Sequence, residues 1–222
     1  MTNYFGRTNY VSNSMLTDLD MMMKGTSFGG NMKAIFDFGN LIDALLTEPE
    51  LVSYTNKTVL LHEGDVASFT DEQWYRALEM RKAGLKHPIL GPIIKTFDKQ
   101  TIKMIDKFDI NGFGFSFSLP VRCKYDFIKE ALRMGCDLKS TACTTHKSFV
   151  QSLSVLSYDR QGAWYMDLGG LDRFMFIGIS KIANKKGEHD IFVHAIQKGD
   201  EMYQSGKSKY EYLATQYFLL IQ

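Results

Sequence analysis

Val121-Arg122-Cys123-Lys124-Tyr125-Asp126-Phe127-Ile128 and the later Arg133-Met134-Gly135-Cys136-Asp137-Leu138-Lys139-Ser140 decide the fold. In the first stretch Val121, Cys123, Tyr125 and Phe127 alternate with Arg122, Lys124 and Asp126, the period of a β-strand. An antiparallel hairpin with its turn near Ala131-Leu132 sets Asp126 opposite Asp137, with Cβ atoms about 5 Å apart. Lys139 lies two residues past Asp137 and projects from the same face. Cys123, Tyr125, Phe127 and Leu138 then take the other face, which suits a core. A slip of one residue would invert the arrangement.

Two carboxylates and a lysine are the parts a metal-dependent nuclease needs. Mg²⁺ prefers oxygen ligands and commonly uses one or two carboxylates plus substrate phosphate. It polarises a phosphoryl oxygen and acidifies water, and a nearby lysine offsets developing negative charge. The alternative is a cross-strand Asp–Lys surface pair, worth a few tenths of a kcal/mol (~0.2–1). Asp137-Leu138-Lys139 is the one acidic-x-Lys triplet in the chain, and geometry alone leaves both readings open.

Outward from the hairpin, Phe113, Phe115 and Phe117 alternate with Gly114, Ser116 and Ser118 as another strand, and the 133 stretch continues to about Thr141. Helices are expected near 146–155 and 158–168. Strands follow at Phe174–Lys181 and Asp190–Ile196 around Lys185-Lys186-Gly187, then a helix near 200–219. Upstream, residues 25–31 read as a loop, and Phe38 to Leu46 as a short helix before Glu48-Pro49. Thr70-Asp71-Glu72-Gln73 matches a capping box opening a helix to about Gly84. A further helix is expected near 98–108. The order predicts an α/β (α+β) single domain over 1–222, with a helical part to about 110 and a catalytic sheet with helices beyond it.

The chain of 222 residues suits one sizeable core. With 45% apolar and 23% charged residues it reads as an ordinary globular protein. A net charge of +1 does not announce a nucleic-acid partner, so one would be held by a local patch or through metal. No stretch approaches the ~20 apolar residues of a membrane span, and Met1 to Tyr10 lack the apolar core of a secretory signal. Cys123, Cys136 and Cys143, an odd and sparse set, argue for a reducing compartment without a disulfide framework.

Further motifs accompany the hairpin. Gln161-Gly162-Ala163-Trp164-Tyr165 is a Gln-x-x-x-Tyr motif on an expected helix, and Phe38-Gly39-Asn40-Leu41-Ile42-Asp43 precedes Leu46-Thr47-Glu48-Pro49-Glu50. With Arg122-Cys123-Lys124-x-Asp126 and Asp137-x-Lys139-Ser140-Thr141, the ordered set resembles the PD-(D/E)XK nuclease superfamily, and within it the RecE-type (exodeoxyribonuclease VIII-like) branch, from about Ser14 to the C-terminal helix. The family's proline is replaced by Tyr125, and Asp43 stands where relatives often place His or Glu. The resemblance implies a restriction-endonuclease-like core, a mixed sheet flanked by helices. It implies Asp126, Asp137 and the Leu138 carbonyl as Mg²⁺ ligands, with Mn²⁺ able to substitute. Asp43 would join them, its alternative being a solvated helix face. Lys139 would position the attacking water, while Gln161 and Tyr165 would support the site and the DNA end. Activity would be exonucleolytic on linear double-stranded DNA, 5′ to 3′, in recombination or end processing. It would come with a homo-oligomer, a single-strand annealing partner and a cytoplasmic setting in a bacterial or phage-infected cell. A structure-specific endonuclease and a catalytically inactive DNA-binding module are the competing readings.

Lys95, Lys99, Lys103 and Lys107 would form a ridge on a helix, either a phosphate track or, with Asp98, Asp106 and Asp109 nearby, a solvated face. Arg160, Ser140 and Thr141 are candidate DNA contacts, Arg160 having a surface ion pair as its alternative. His146 reads as a helix-start or surface residue, Trp74 and Trp164 as core, and Cys136 and Cys143 as small buried fillers.

Overall fold

A computed structural model describes residues 9–26, 32–61, 64–112 and 114–221. Its elements in chain order are α1 (Asn13–Lys24), α2 (Met32–Thr47), β1 (Val52–Ser53), β2 (Thr58–Leu60), β3 (Val66–Ser68), α3 (Asp71–Lys86), α4 (Leu90–Thr96), β4 (Asp98–Gly112) and β5 (Phe115–Lys129). They continue with β6 (Met134–Thr141), α5 (His146–Val155), α6 (Tyr158–Gly169), β7 (Arg173–Ala183), β8 (His189–Gln197) and α7 (Glu201–Leu220).

The main sheet is five-stranded and mixed, in the order β4-β5-β6-β7-β8. Neighbours are antiparallel except β6 and β7, which run parallel and are joined through α5 and α6, as a parallel pair requires a crossover. One face packs on α1, α5, α6 and α7 around Trp164, Phe174 and Phe176. The other packs on α2, α3, α4 and the small β1-β2-β3 sheet around Leu41, Trp74, Phe127 and Ile177. This is the expected α/β class, a sheet covered on both sides.

Local chemistry sets several boundaries. The Thr70 capping box is formed in full, and the side chains of Ser12, Thr145 and Asp200 cap α1, α5 and α7. α7 seats backbone to backbone on the first turn of α6. A Cβ at Gly206 would lie 2.1 Å from the Asp159 carbonyl oxygen, so only glycine fits. Asp167, 8% exposed in its side chain, accepts hydrogen bonds from Tyr203, Tyr210 and Lys207, while Asp159 accepts from Lys209 and Ser205. These bonds rivet α6 to α7.

Four expectations change. The 98–108 helix is instead part of the long edge strand β4, paired along β5; pairing overrides the weak local propensity of a polar segment. The lysine ridge goes with it. Lys95 lies on α4, Lys103 donates to the Gly169 carbonyl, and a register shift separates Lys103 from Lys107. The 38–46 helix begins at Met32, and three short strands lie within the part expected to be helical. Phe115 to Lys129 form one strand, with Phe113 outside the described residues. Of the 25–31 loop, only Gly25 and Thr26 are described.

Candidate active site

β5 and β6 pair as Phe127–Cys136, Ile128–Gly135 and Lys129–Met134. That is the expected register, with the turn at Glu130–Leu132. One step further Asp126 would face Asp137, but there the strands part. The Asp126 carboxylate takes the place of a backbone partner and accepts the Leu138 N–H at 2.7 Å. In an extended residue the N–H and C=O point to the same edge, so the Leu138 carbonyl is aimed into the same gap.

The faces of β5 differ from expectation. Cys123 and Tyr125 lie in the core under α6 and α7, whereas Phe127 and Leu138 lie in the core under α2 and α3. The pleat changes sides at Asp126. Across the ladder, Lys99 pairs with Phe127 and Thr101 with Tyr125, while Gln100 between them has a left-handed backbone, φ 49°. Such a conformation costs a non-glycine residue roughly 1–3 kcal/mol and persists only where its surroundings impose it.

Asp137 is 5% exposed. Its Oδ1 accepts the Gln161 amide at 2.6 Å. Its Oδ2 is ion-paired to the Lys139 ammonium at 2.6 Å. Lys139 in turn lies 4.4 Å over the ring of Tyr158, at the start of α6, a cation–π arrangement. Burial works against the lysine's charge, yet Asp137, Tyr158 and Asp126 hold its pKa above the usual value.

Asp43 comes from α2 and joins the cluster electrostatically. Burial pushes its carboxyl up to about 6, against the Gln100 hydrogen bond and Lys124, with Asp137 and Glu48 adding repulsion. Asp126 is raised well above the carboxylate range by burial first, then by the charges of Asp43 and Asp137. Gln100 Nε2 donates to Asp43 Oδ2 at 3.0 Å and to Thr47 Oγ1 at 2.8 Å. Glu48 lies 3.7 Å from Lys124 at the border of the cluster.

The donor set suits a hard cation. Among the described residues no three His, Cys, Asp or Glu side chains are already placed as a metal cage. Mg²⁺ does not require one, since water and phosphate complete its shell. The mutual repulsion of the three buried carboxylates is the feature a cation would relieve.

Other expected residues fall differently. Tyr165 packs edge-on against Tyr125 and Phe174, at 5.2 and 5.7 Å between ring centroids, and its carbonyl accepts the Tyr125 hydroxyl. Its ring sits in the core against Tyr125, the neighbour of Asp126 in the strand. Arg160 is 2% exposed and its guanidinium is spent on Asn13 and Thr17 of α1, so neither the DNA contact nor the surface ion pair fits it. Ser140 faces α2, where a Cβ at Gly39 would meet its hydroxyl at an ordinary 3.7 Å. Thr141 accepts the Cys143 N–H. His146 opens α5 as expected, Trp74 and Trp164 are core, and Cys136 is buried, but Cys143 is only partly so. Gln100 and Tyr158 were not singled out by sequence. Gln100 lay in a presumed helix, and Tyr158 is one aromatic among many.

No family model matches the chain, and no curated protein does. Among solved structures it is similar to an alkaline exonuclease from Laribacter hongkongensis, at 13% identity and TM-score 0.39, covering 97% of this chain and 93% of that one. It is also similar to a phage-related exonuclease from Haemophilus somnus 129PT, at 12% identity and TM-score 0.39, covering 94% and 83%. Similarity at this level leaves the activity to be argued from the site itself. No helix among the described residues is long and apolar enough to cross a membrane.

Proposed function

We propose that the protein is a Mg²⁺-dependent deoxyribonuclease that hydrolyses phosphodiester bonds of linear double-stranded DNA. The observation that carries this reading is the buried Asp137, held by Gln161 on one oxygen and paired with the Lys139 ammonium on the other, with Asp126 in the same gap. Asp126, Asp137 and the Leu138 carbonyl would hold the ion, with Asp43 beside them. When bound, the ion supplies charge that polarises the scissile phosphoryl oxygen. Gln161 fixes the rotamer of Asp137. Lys139, steadied over Tyr158, orients the attacking water and offsets charge building on the phosphate. Water oxygen bonds to phosphorus, the bridging P–O bond breaks, and a proton passes to the leaving oxygen.

Exonucleolytic action from duplex ends, 5′ to 3′, a homo-oligomer, a single-strand annealing partner and a role in recombination are proposed from the motif resemblance. Ser140 and Thr141, at the end of β6 beside the site, are proposed as DNA contacts. The test incubates purified protein with end-labelled linear DNA and with covalently closed circles, in Mg²⁺ or EDTA. Linear DNA should shorten in Mg²⁺ only, with circles intact. Nicked circles would make the enzyme an endonuclease, and Asp137→Ala or Lys139→Ala cutting at the wild-type rate would refute the site.

A further inference from the structure

The geometry points to Gln100 as the positioning residue of this site, aiming two carboxylates at once; the inference rests on the reading of the cluster as a metal centre. Two independent features of Gln100 support it. The first is its backbone. Its left-handed turn sits opposite Asp126, and the paired residues pass from Lys99–Phe127 to Thr101–Tyr125 around it. There β5 changes faces, and Asp126 comes to lie between the two cores, where its carboxylate reaches the Leu138 N–H. A regular strand would instead have sent Asp126 to one face or the other.

The second is its side chain. One amide nitrogen bonds both Asp43 Oδ2 and Thr47 Oγ1, one helical turn apart on α2. The Thr47 hydroxyl is itself tied to the Asp43 carbonyl oxygen at 2.8 Å. Asp43 is therefore held by a donor from the sheet and not by its own helix alone. Such partners of ligating carboxylates commonly account for tenfold or more in metal affinity. Backbone and amide thus hold candidate ligands from β5 and α2 together.

The test separates the two functions of the residue. Gln100→Gly keeps the left-handed backbone at no steric cost and deletes the amide. Gln100→Asn also tolerates that backbone, with an amide one methylene too short to span both acceptors. Mn²⁺ binding to the full chain is measured by calorimetry, alongside melting in EDTA and the Mg²⁺ dependence of DNA cleavage. Both variants should stay folded, melting at most a few degrees below wild type, and bind Mn²⁺ about 10-fold more weakly. The Mg²⁺ concentration for half-maximal cleavage should rise, while the KM for DNA at saturating Mg²⁺ stays put. In an Asp43→Asn background, Gln100→Gly should add no further loss, because Gln100 acts through Asp43. Wild-type protein that binds no Mn²⁺ overturns the metal-centre reading and this one with it. Wild-type binding with unchanged variants, or full additivity in the double variant, overturns this one alone.

Discussion

Asp43→Asn should make the metal-free protein more stable and less active. Burial raises the Asp43 carboxyl from 3.8 to about 6. A group whose folded pKa is raised contributes stability that is fully present below its unfolded pKa and lost as pH rises through the folded one. At pH 7.5 the ionised Asp43 is therefore a cost. The shift of roughly two units corresponds to an upper limit of about 3 kcal/mol at 1.36 per unit. Asparagine keeps an oxygen for the Gln100 amide and removes a charge that Asp126 and Asp137 also feel. Allowing for partial solvent contact and for desolvating the new amide, a gain of about 1–2 kcal/mol remains. For a domain of this size that is a rise of roughly 3–6 °C in Tm. Melting in EDTA by circular dichroism, at pH 7.5 and at pH 4, measures it. The difference should shrink toward zero at pH 4, where native Asp43 is already protonated. A variant that melts at or below wild type at pH 7.5 would refute the account of strained, repelling carboxylates.

Three further outcomes follow from the same geometry. Mg²⁺ competes with the protons that raised carboxyls hold, so Mg²⁺ in large excess over its dissociation constant should raise Tm more at pH 7.5 than at pH 5.5. Tyr158→Leu should lower kcat about 5- to 30-fold, the equivalent of a desolvated cation–π contact of ~1–2 kcal/mol, while Tyr158→Phe keeps the ring face under Lys139 and should stay near wild type. Arg160→Ala should cost roughly 2–3 kcal/mol through its lost bonds to α1, seen as a lower Tm, with KM for DNA unchanged below the melt; a rise in KM would restore Arg160 as a DNA contact.

The strands at 121–128 and 133–140 were legible because alternation and a short turn leave one register that buries apolar residues. The helix after Thr70 was legible through its capping box, and those near 146–155 and 200–219 through their periods. β4 was not. It is an edge strand whose outer residues, among them Asp98, Lys99 and Asp109, meet solvent, so its alternation is blurred and its lysines happen to repeat at helical spacing. The face change at Asp126 was invisible for a different reason. It depends on the backbone of Gln100, nearly thirty positions upstream, and nothing in the local pattern at Asp126 encodes it. Arg160 misled because a guanidinium beside a motif reads as a ligand contact, while its burial under α1 depends on residues at the far end of the chain. Gln161 and Asp137 met as the motif order suggested; Tyr165, one turn away, turned inward.

The seating of Gly206 against Asp159, with the Asp167 and Asp159 bonds to α7, has a consequence for the growing chain. Every motif residue from Asp43 to Tyr165 emerges from the ribosome well before α7 does. Until α7 arrives, the helix that carries Tyr158 and Gln161 lacks the cover on its outer side, and Asp159 and Asp167 lack the hydrogen bonds that α7 supplies. Residues far from the candidate site thus bear on the helix that carries Gln161.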